Sequence, residues 1–177
     1  ISVSVLFGMI ILSATTVFAS GIGFVKAYDK IADETREEIN VGTEGDIKDQ
    51  KAKYRMYDKT RIKKCMIKNE RLKENDGKPF TWKIKPKERI ETKEGHLKKG
   101  TCVQVAACMG FEEEHPETHI AIGIIDEDGE ETYIENGVNL VSHLKVKKDG
   151  RYRVFLENLG AKKAIAGGHY MVITEEE

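Results

Sequence analysis

Serine, cysteine and proline are scarce in this sequence. Its 177 residues include three prolines, three cysteines and one tryptophan, and Ser142 is the only serine after residue 20. Three cysteines exclude a disulfide-dense scaffold, and three prolines among 16 glycines exclude collagen-like or proline-rich repeats. No Gly-x-Ser-x-Gly motif, Walker-type loop or dinucleotide fingerprint occurs, so the common nucleophile and nucleotide motifs are missing.

An excess of charge of either sign is also lacking. Lys plus Arg is 29 and Asp plus Glu is 30, which gives a net charge of −1. This balance gives no reason to expect a nucleic-acid partner or an anionic lipid surface. The length suits one domain with attachments, and 40% hydrophobic with 33% charged residues allows a core of modest size.

Residues 1–25 carry no charged side chain. Val17 and Ala19 precede Ser20 with the small-residue spacing of a signal-peptide cleavage site, so we expect an export signal. The alternatives are a retained membrane anchor, because the run exceeds the roughly 20 residues that span a bilayer, and a buried core helix. Since the sequence begins with Ile1 and has no basic residue before the run, we expect it to be truncated at its start. The signal and the anchor both place the rest of the chain outside the cytoplasm, with membrane contact only through residues 1–25.

Residues 26–78 are predicted to form a charged, partly helical linker. Apolar residues spaced by three and four predict a short amphipathic helix from Tyr28 to Ile39, and a second weak helix is predicted from Asp46 to Tyr57. Eight acids and three bases lie between Asp29 and Asp49, whereas seven bases and two acids lie between Asp58 and Lys73. The basic run could bind anionic lipid, teichoic acid or nucleic acid, but it lacks interleaved aromatics, and the prediction is a solvated linker.

From residue 79 onward the pattern changes to short alternating runs separated by turns. Phe80, Trp82 and Ile84 share one face of a strand that Pro86 ends, and the residues from His119 to Asp126 form an almost continuous apolar run. Further strands are predicted at 89–93, 101–108, 131–134, 138–146, 152–156 and 164–174, the last broken by Gly167-Gly168. About eight strands spaced near ten residues predict a mainly β fold, an antiparallel, jelly-roll-like β-sandwich over residues 79–177.

The cysteines offer little chemistry. Cys102 and Cys108 are six residues apart in one predicted strand, so their Cα atoms would be roughly 20 Å apart, too far for a disulfide. We expect buried free thiols that act as small apolar groups, with a bond from Cys65 to either of the others left open. A Cys108–His119 pair is the basis of one alternative, a small hydrolase.

The histidines and acids give no metal motif. His115 and His119 are four apart, but Pro116 argues against a helix between them, and the Glu of the zinc-protease motif is missing. Asp126, Asp128 and Glu130 superficially resemble a calcium loop, but Gly129 breaks that pattern and a hairpin turn explains these residues more simply. Ser142 and His143 point apart in a strand, and His143 is predicted to be exposed. We therefore predict no metal, no cofactor and no catalytic residue.

Four aromatic residues could form a sugar-binding platform. These candidates are Trp82, Tyr133, Tyr152 and Tyr170. Trp82 and Tyr152 lie on the apolar phase of their strands, so the prediction for the set is core packing.

Four segments occur in order along the chain: Phe80–Ile84, Lys98–Gly100, Ala121–Ile124 and Asp149–Asn158. Together they resemble small exported β-sandwich domains of Gram-positive, clostridia-like bacteria, and the resemblance extends over roughly 80–173. Similar modules follow the last membrane helix of peptidases that resemble the BlaR1/M56 sensor family, whose zinc-binding His-Glu-x-x-His has no match here. The resemblance implies a noncatalytic extracytoplasmic tail.

The sequence therefore favours a noncatalytic, secreted or membrane-anchored β-sandwich. It would bind a ligand, a cell-surface polymer or a partner protein through residues that the sequence does not identify. The alternatives are the extracytoplasmic sensor tail of a membrane regulator, with residues 1–25 retained as a helix, and a small secreted hydrolase.

Overall fold

The computed structural model describes residues 50–74, 76–110, 119–136 and 139–174. These residues form eleven strands and contain no helix. The strands are β1 Lys53–Met56, β2 Lys64–Arg71, β3 Gly77–Ile84, β4 Glu88–Lys93, β5 Gly95–Leu97, β6 Cys102–Gly110, β7 Ile120–Asp126, β8 Glu130–Asn136, β9 Asn139–Lys145, β10 Gly150–Asn158 and β11 Ala164–Ile173. The predicted leader at 1–25 and the predicted helix from Tyr28 to Ile39 lie outside the described residues.

The strands form two sheets that pack against each other. The seven-stranded sheet has the order β1-β8-β7-β10-β4-β2, with β5 also paired to β10, and the four-stranded sheet has the order β3-β11-β6-β9. Every pairing is antiparallel except that of β2 with β4, which is parallel. The prediction of a mainly β fold built from two packed sheets is confirmed, and the one parallel pair departs from the antiparallel prediction.

The core lies between the sheets and is built from the alternating residues that the sequence indicates. In β10 the inward residues are Tyr152, Val154 and Leu156, and in β3 they are Phe80, Trp82 and Ile84. The rings of Phe80 and Trp82 stack with their centroids 4.3 Å apart. Burying these side chains removes apolar surface from water at about 25 cal/mol per Å², the main stabilising term of the fold.

The predicted linker overlaps the folded unit. Gln50–Tyr57, the described part of the predicted helix from Asp46 to Tyr57, contains β1 instead. The basic run from Asp58 to Lys73 contains β2, which pairs with β4. Neither strand alternates strongly in hydrophobicity, because each lies at an edge of the seven-stranded sheet and remains largely exposed.

Residues 57–63 connect β1 and β2, which lie at opposite edges of the seven-stranded sheet. This crossing segment therefore passes over the outer face of the sheet. Its two ends are held by backbone hydrogen bonds, Tyr57 N–H to the Gly129 oxygen and Lys63 N–H to the Lys87 oxygen, both 2.8 Å long. Tyr57 packs on a small apolar cluster of that face, which includes Ala121, Ile125, Tyr133 and Phe155.

The crossing segment and β1 enclose a cluster of charged side chains, the outer-face ion cluster. Its arginines are Arg55, Arg61, Arg89 and Arg153, and its carboxylates are Glu91, Glu131 and Glu157. The side chains of Arg89 and Glu131 are 0% exposed and hydrogen-bonded to each other. The Arg89 guanidinium carbon also lies 3.8 Å from the centre of the Phe155 ring and 5.3 Å from that of Tyr57.

No helix in the described ranges has the length and apolar character needed to cross a bilayer.

Candidate functional site

An opening along the sheet edges arises because the two sheets differ in width. Tyr54 of β1 pairs with Thr132 of β8, which in turn pairs with the core residue Ile124, so Tyr54 is on the core-facing side of its sheet. The four-stranded sheet ends at β9 and does not cover β1. The side chains of Tyr54 and Met56 are therefore 59% and 61% exposed.

This overhang and β9 form the two walls of a groove of about 710 Å³, the edge groove. Its lining residues are Ala52, Tyr54, Lys99, Gly100, Thr132, His143, Leu144, Lys145, Val146 and Lys147. Gln50 closes one end, because its N–H donates to the Val141 oxygen at 2.8 Å and its own oxygen accepts from the Ser142 hydroxyl at 3.0 Å. The groove thus lies where the chain passes from the edge of one sheet to the edge of the other.

A tight turn places Lys99 at the rim of the edge groove. The Thr101 N–H donates to the Lys98 oxygen at 3.1 Å, and Gly100 has a φ of 90°. A positive φ at the third position of a four-residue turn is the mark of a type II turn and favours glycine. The Asp149 carboxylate accepts from the Lys99 N–H at 2.7 Å and fixes the turn against the start of β10.

The lining of the edge groove is cationic. Lys147 forms an ion pair with Glu130 at 2.5 Å and lies 4.0 Å from the centre of the Tyr54 ring. The ammonium groups of Lys99 and Lys145 form no ion pair with any described residue. An exposed aromatic ring beside unneutralised lysines suits a ligand that is both acidic and partly apolar.

A polar chain on the outer face of the four-stranded sheet leads from the groove into buried surroundings. His169 Nε2–H donates to Gln104 Oε1 at 3.2 Å, and the Gln104 amide donates to His143 Nε2 at 3.1 Å. The Gln104 oxygen can only accept, so Nε2 of His169 carries a proton. The Gln104 nitrogen can only donate, so Nε2 of His143 carries none. Burial, with a smaller effect of the nearby His143 ring, lowers the pKa of His169 to about 4.

The candidate histidine and cysteine chemistry does not come together in the described residues. His119 is exposed and its Nε2 lies 3.8 Å from Glu135, beyond hydrogen-bond range. Burial raises the pKa of the Cys108 thiol to about 12, which keeps it protonated and unreactive. Partial desolvation, reinforced by the Glu91 carboxylate, raises the pKa of Cys65 to about 11. Cys65 is a free thiol, so it is not bonded to Cys102 or Cys108. Cys65 is exposed and Cys102 is half-buried, so the expectation of buried thiols is correct for Cys108 and wrong for the other two.

The metal alternatives also receive no support. Among the described residues no group of three potential ligands is close enough to hold an ion, and His115 lies outside them. One oxygen of Asp126 accepts the N–H groups of Asp128 at 3.0 Å and Glu130 at 2.8 Å, as a hairpin requires. The hairpin explanation of the calcium-like pattern is therefore confirmed.

The structure also places the remaining candidates. Ser142 is buried and His143 exposed, as predicted from their opposite strand phases. The four candidate platform aromatics are all buried, with exposed fractions of 6% for Trp82, 8% for Tyr133, 4% for Tyr152 and 1% for Tyr170. Core packing is therefore confirmed for Trp82, Tyr152 and Tyr170, whereas Tyr133 packs in the outer-face apolar cluster, and burial of all four rings excludes a sugar platform made of them.

Sequence reasoning missed the edge groove. The predicted helix from Asp46 to Tyr57 includes Tyr54, and Lys99 stands out in the sequence only within the Lys98–Gly100 segment of the resemblance. Lys145 lies on an exposed phase of β9. One signal could have indicated a cationic groove. Lys145 ends β9, Lys147 follows it in the loop, and this loop lies at the same end of the domain as the Lys98–Gly100 turn. The contribution of β1 to the groove has no local signal.

The chain matches no family model and no curated protein. Its similarity to solved structures is distant. A pre-peptidase C-terminal domain of a Bacillus anthracis collagenase has 9% identity and a TM-score of 0.40 over 61% of this chain and 93% of that one. The Aeromonas hydrophila periplasmic inhibitor of g-type lysozyme, PliG, has 9% identity and a TM-score of 0.35, over 61% and 98%. The surface-associated copper-binding protein CorA of Methylomicrobium album BG8 has 9% identity and a TM-score of 0.40, over 61% and 98%. At this distance the similarities do not indicate a function.

Proposed function

We propose that this protein is a noncatalytic binding module that captures an extended acidic segment of a partner protein in the edge groove. The observation that carries the proposal is the pairing of Lys99 and Lys145, whose ammonium groups no described carboxylate neutralises, with the exposed ring of Tyr54 in one groove. An acidic ligand would supply the missing counter-charges and cover the ring.

The position of β9 favours a peptide over other acidic ligands. In the described part of the chain β9 pairs along its length only with β6, and Gln50 makes a single backbone hydrogen bond to its other side. An edge strand beside a groove offers backbone donors and acceptors to an added strand. Met56, at the far end of β1, extends the apolar surface that alternate side chains of such a strand would contact.

The test measures binding of a fluorescent heptapeptide of alternating Glu and Val, as long as β9, to the full chain. The double variant Lys99→Gln/Lys145→Gln should weaken binding by about tenfold, since each exposed lysine contributes up to about 1 kcal/mol to the pairing. Tyr54→Ala should also weaken it, and added salt should weaken the wild type more than the double variant. The matched control is Lys83→Gln/Lys163→Gln, which removes two exposed lysines outside the groove.

Two results would overturn the proposal. One is equal binding of the heptapeptide by the wild type and the groove double variant. The other is no binding of the heptapeptide by the wild type, and in that case binding of a polygalacturonate oligomer would identify the ligand as an acidic polysaccharide.

The proposal includes a location outside the cytoplasm. The uncharged run at 1–25, with Val17 and Ala19 before Ser20, supports export by a signal peptide or an anchor. Sequencing the N-terminus of the exported protein tests this point, because an N-terminus at Ser20 requires cleavage and a chain that stays in the cytoplasm contradicts export.

The strand order supports a jelly-roll classification of the fold. The central strands of the larger sheet follow the order β8-β7-β10-β4, and the smaller sheet follows β3-β11-β6-β9. These eight strands wind between the two sheets as the double Greek key of a jelly roll does. In this classification β1, β2 and β5 are additions to the eight-stranded unit.

A further inference from the structure

A second cationic recess lies on the outer face of the seven-stranded sheet, near the β2 edge. We call it the arginine cleft, and its volume is about 580 Å³. Its lining residues are Ile67, Arg71, Thr92, Lys93, Glu94, Gly95, His96, Arg151 and Arg153. It shares no lining residue with the edge groove, which belongs to the β1 and β9 edges.

A register shift in the sheet forms one wall of the arginine cleft. Phe155 of β10 pairs with Glu91, whereas Tyr152 pairs with Gly95, so one extra residue is accommodated between β4 and β5. At this point the Val154 N–H donates to the Thr92 hydroxyl at 3.0 Å. Bulges of this kind bend a strand and redirect its side chains, and they are common beside binding sites.

A close backbone approach at Gly95 forms the opposite wall. A Cβ at residue 95 would lie 2.2 Å from the Leu72 oxygen, so only glycine allows the chain after β2 to approach β5. Arg71, the last residue of β2, is thereby brought to the same recess as His96 of β5.

Carboxylates hold two of the guanidinium groups without neutralising the whole cleft. Arg153 contacts Glu91 at 2.9 Å, and Arg151 contacts Glu94 at 3.4 Å and Glu127 at 3.1 Å. Arg71 and Lys93 form no ion pair with any described residue. The four cations therefore face three carboxylates, and two of the cations have their charge available for a ligand.

We propose that the arginine cleft binds a phosphate group carried by a small molecule or a polymer. A guanidinium offers paired N–H donors that fit a tetrahedral oxyanion, and groups held in place by carboxylates lose less freedom on binding. The cleft is larger than one phosphate, and Ile67, which is 54% exposed, gives the remainder of the ligand an apolar contact. This site is independent of the peptide site proposed above.

The test titrates the full chain with inorganic phosphate, with glycerol 3-phosphate and with a glycerol phosphate oligomer, using calorimetry. Arg71→Gln and Lys93→Gln should each weaken phosphate binding by about tenfold. Lys64→Gln, which removes a cation from the other end of β2, should leave the affinity within about twofold, as expected of a charge outside the cleft. Because Arg71 and Lys93 have no described ion-pair partner, their variants should keep the wild-type melting temperature.

The three probes also distinguish the source of the phosphate. Tighter binding of the oligomer than of either small probe indicates a polymer ligand, whereas equal binding of all three indicates a site for an isolated phosphate group. Equal affinity for acetate and phosphate would overturn the proposal, as would unchanged binding in Arg71→Gln or no binding of any probe. The Lys99→Gln/Lys145→Gln variant should bind phosphate normally, so this proposal and the peptide proposal can fail separately.

Discussion

His169 shows how one buried side chain links the fold to the acidity of its surroundings. Its ring is 0% exposed and donates to Gln104 Oε1, which requires Nε2 to carry a proton, and burial disfavours a second proton that would charge the ring. Because burial lowers the pKa of His169 to about 4, the folded protein resists protonation of this ring at values of pH where an unfolded chain accepts a proton readily.

The sign of the resulting pH dependence follows directly. Between the unfolded pKa of about 6.5 and the folded value of about 4, the unfolded chain binds one more proton at this position. The free energy of unfolding should therefore fall by about 2 kcal/mol from this residue alone as the pH drops from about 7 to about 4.5. His169→Gln keeps an amide donor for Gln104 but has no titrating ring, so its free energy of unfolding should fall by about 2 kcal/mol less than that of the wild type over this range. Urea unfolding at the two values of pH measures the difference.

His96→Gln is the matched control for this measurement, because His96 is exposed on β5. It should retain the wild-type pH dependence. A pH dependence of His169→Gln that follows the wild type would show that His169 does not cause the loss.

At the scale of elements, the crossing segment gives the seven-stranded sheet a second buried face. On this face β7 carries the small residue Ala121, and glycine at 123 permits close pairing with β8, because a Cβ there would lie 2.3 Å from the Thr132 oxygen. Arg61 of the crossing segment reaches down to Glu157 at 2.7 Å, and Arg55 of β1 reaches the same carboxylate at 2.6 Å. The crossing segment thus covers the Glu157 carboxylate and also supplies an arginine that neutralises it.

Arg89 is the fully buried arginine of the outer-face ion cluster, and Arg89→Met tests the cluster. The variant leaves Glu131 and its neighbouring carboxylates buried with less positive charge, so the free energy of unfolding should fall by about 3 to 5 kcal/mol. Chemical denaturation measures this loss.

Arg71→Met is the control for Arg89→Met, because Arg71 is exposed and outside any described ion pair. Its free energy of unfolding should stay within about 0.5 kcal/mol of the wild type. A loss below about 1 kcal/mol for Arg89→Met would mean that the cluster readjusts around the missing charge.

The elements also show what sequence patterns reveal and what they hide. Strands such as β7 and β10 were predictable because one face or both faces are buried in apolar contacts that leave a clear record in the sequence. β2 was hidden because charged residues cover most of it and an edge strand needs little burial. Gly168 predicted a break in the last strand, yet β11 continues through it, because a Cβ there would lie 2.0 Å from the Ala106 oxygen and glycine permits close pairing.

The candidate sites were less predictable than the fold for a related reason. Glu131 and Glu157 occupy phases of β8 and β10 that alternation assigns to solvent, and only the crossing segment, distant in sequence, buries them. The edge groove and the arginine cleft likewise combine strands that are far apart along the chain. Local patterns report which side of a strand faces the opposite sheet, but not what a distant segment covers or leaves open.

At the scale of the whole molecule, the folded unit begins before the boundary that composition indicates. A fragment of residues 79–177 lacks β1, β2 and the crossing segment, and it therefore lacks Arg55 and Arg61 while it keeps Glu131 and Glu157. It exposes the apolar cluster under Tyr57 and leaves two carboxylates short of their partners. We expect it to show no cooperative thermal unfolding, in contrast to the full chain, when the two are compared by calorimetry.

Circular dichroism of the same two samples provides the control, because it reports whether the fragment retains any strand structure. A fragment that unfolds cooperatively at the melting temperature of the full chain would contradict this expectation and would restore a boundary near residue 79.

Mechanically, Gln50 couples the two sheets. Its N–H and its oxygen are both bonded to β9 of one layer, whereas Lys53, three residues later, is held by β8 of the other. A force applied at Gln50 is therefore shared between the two sheets and does not simply peel away β1.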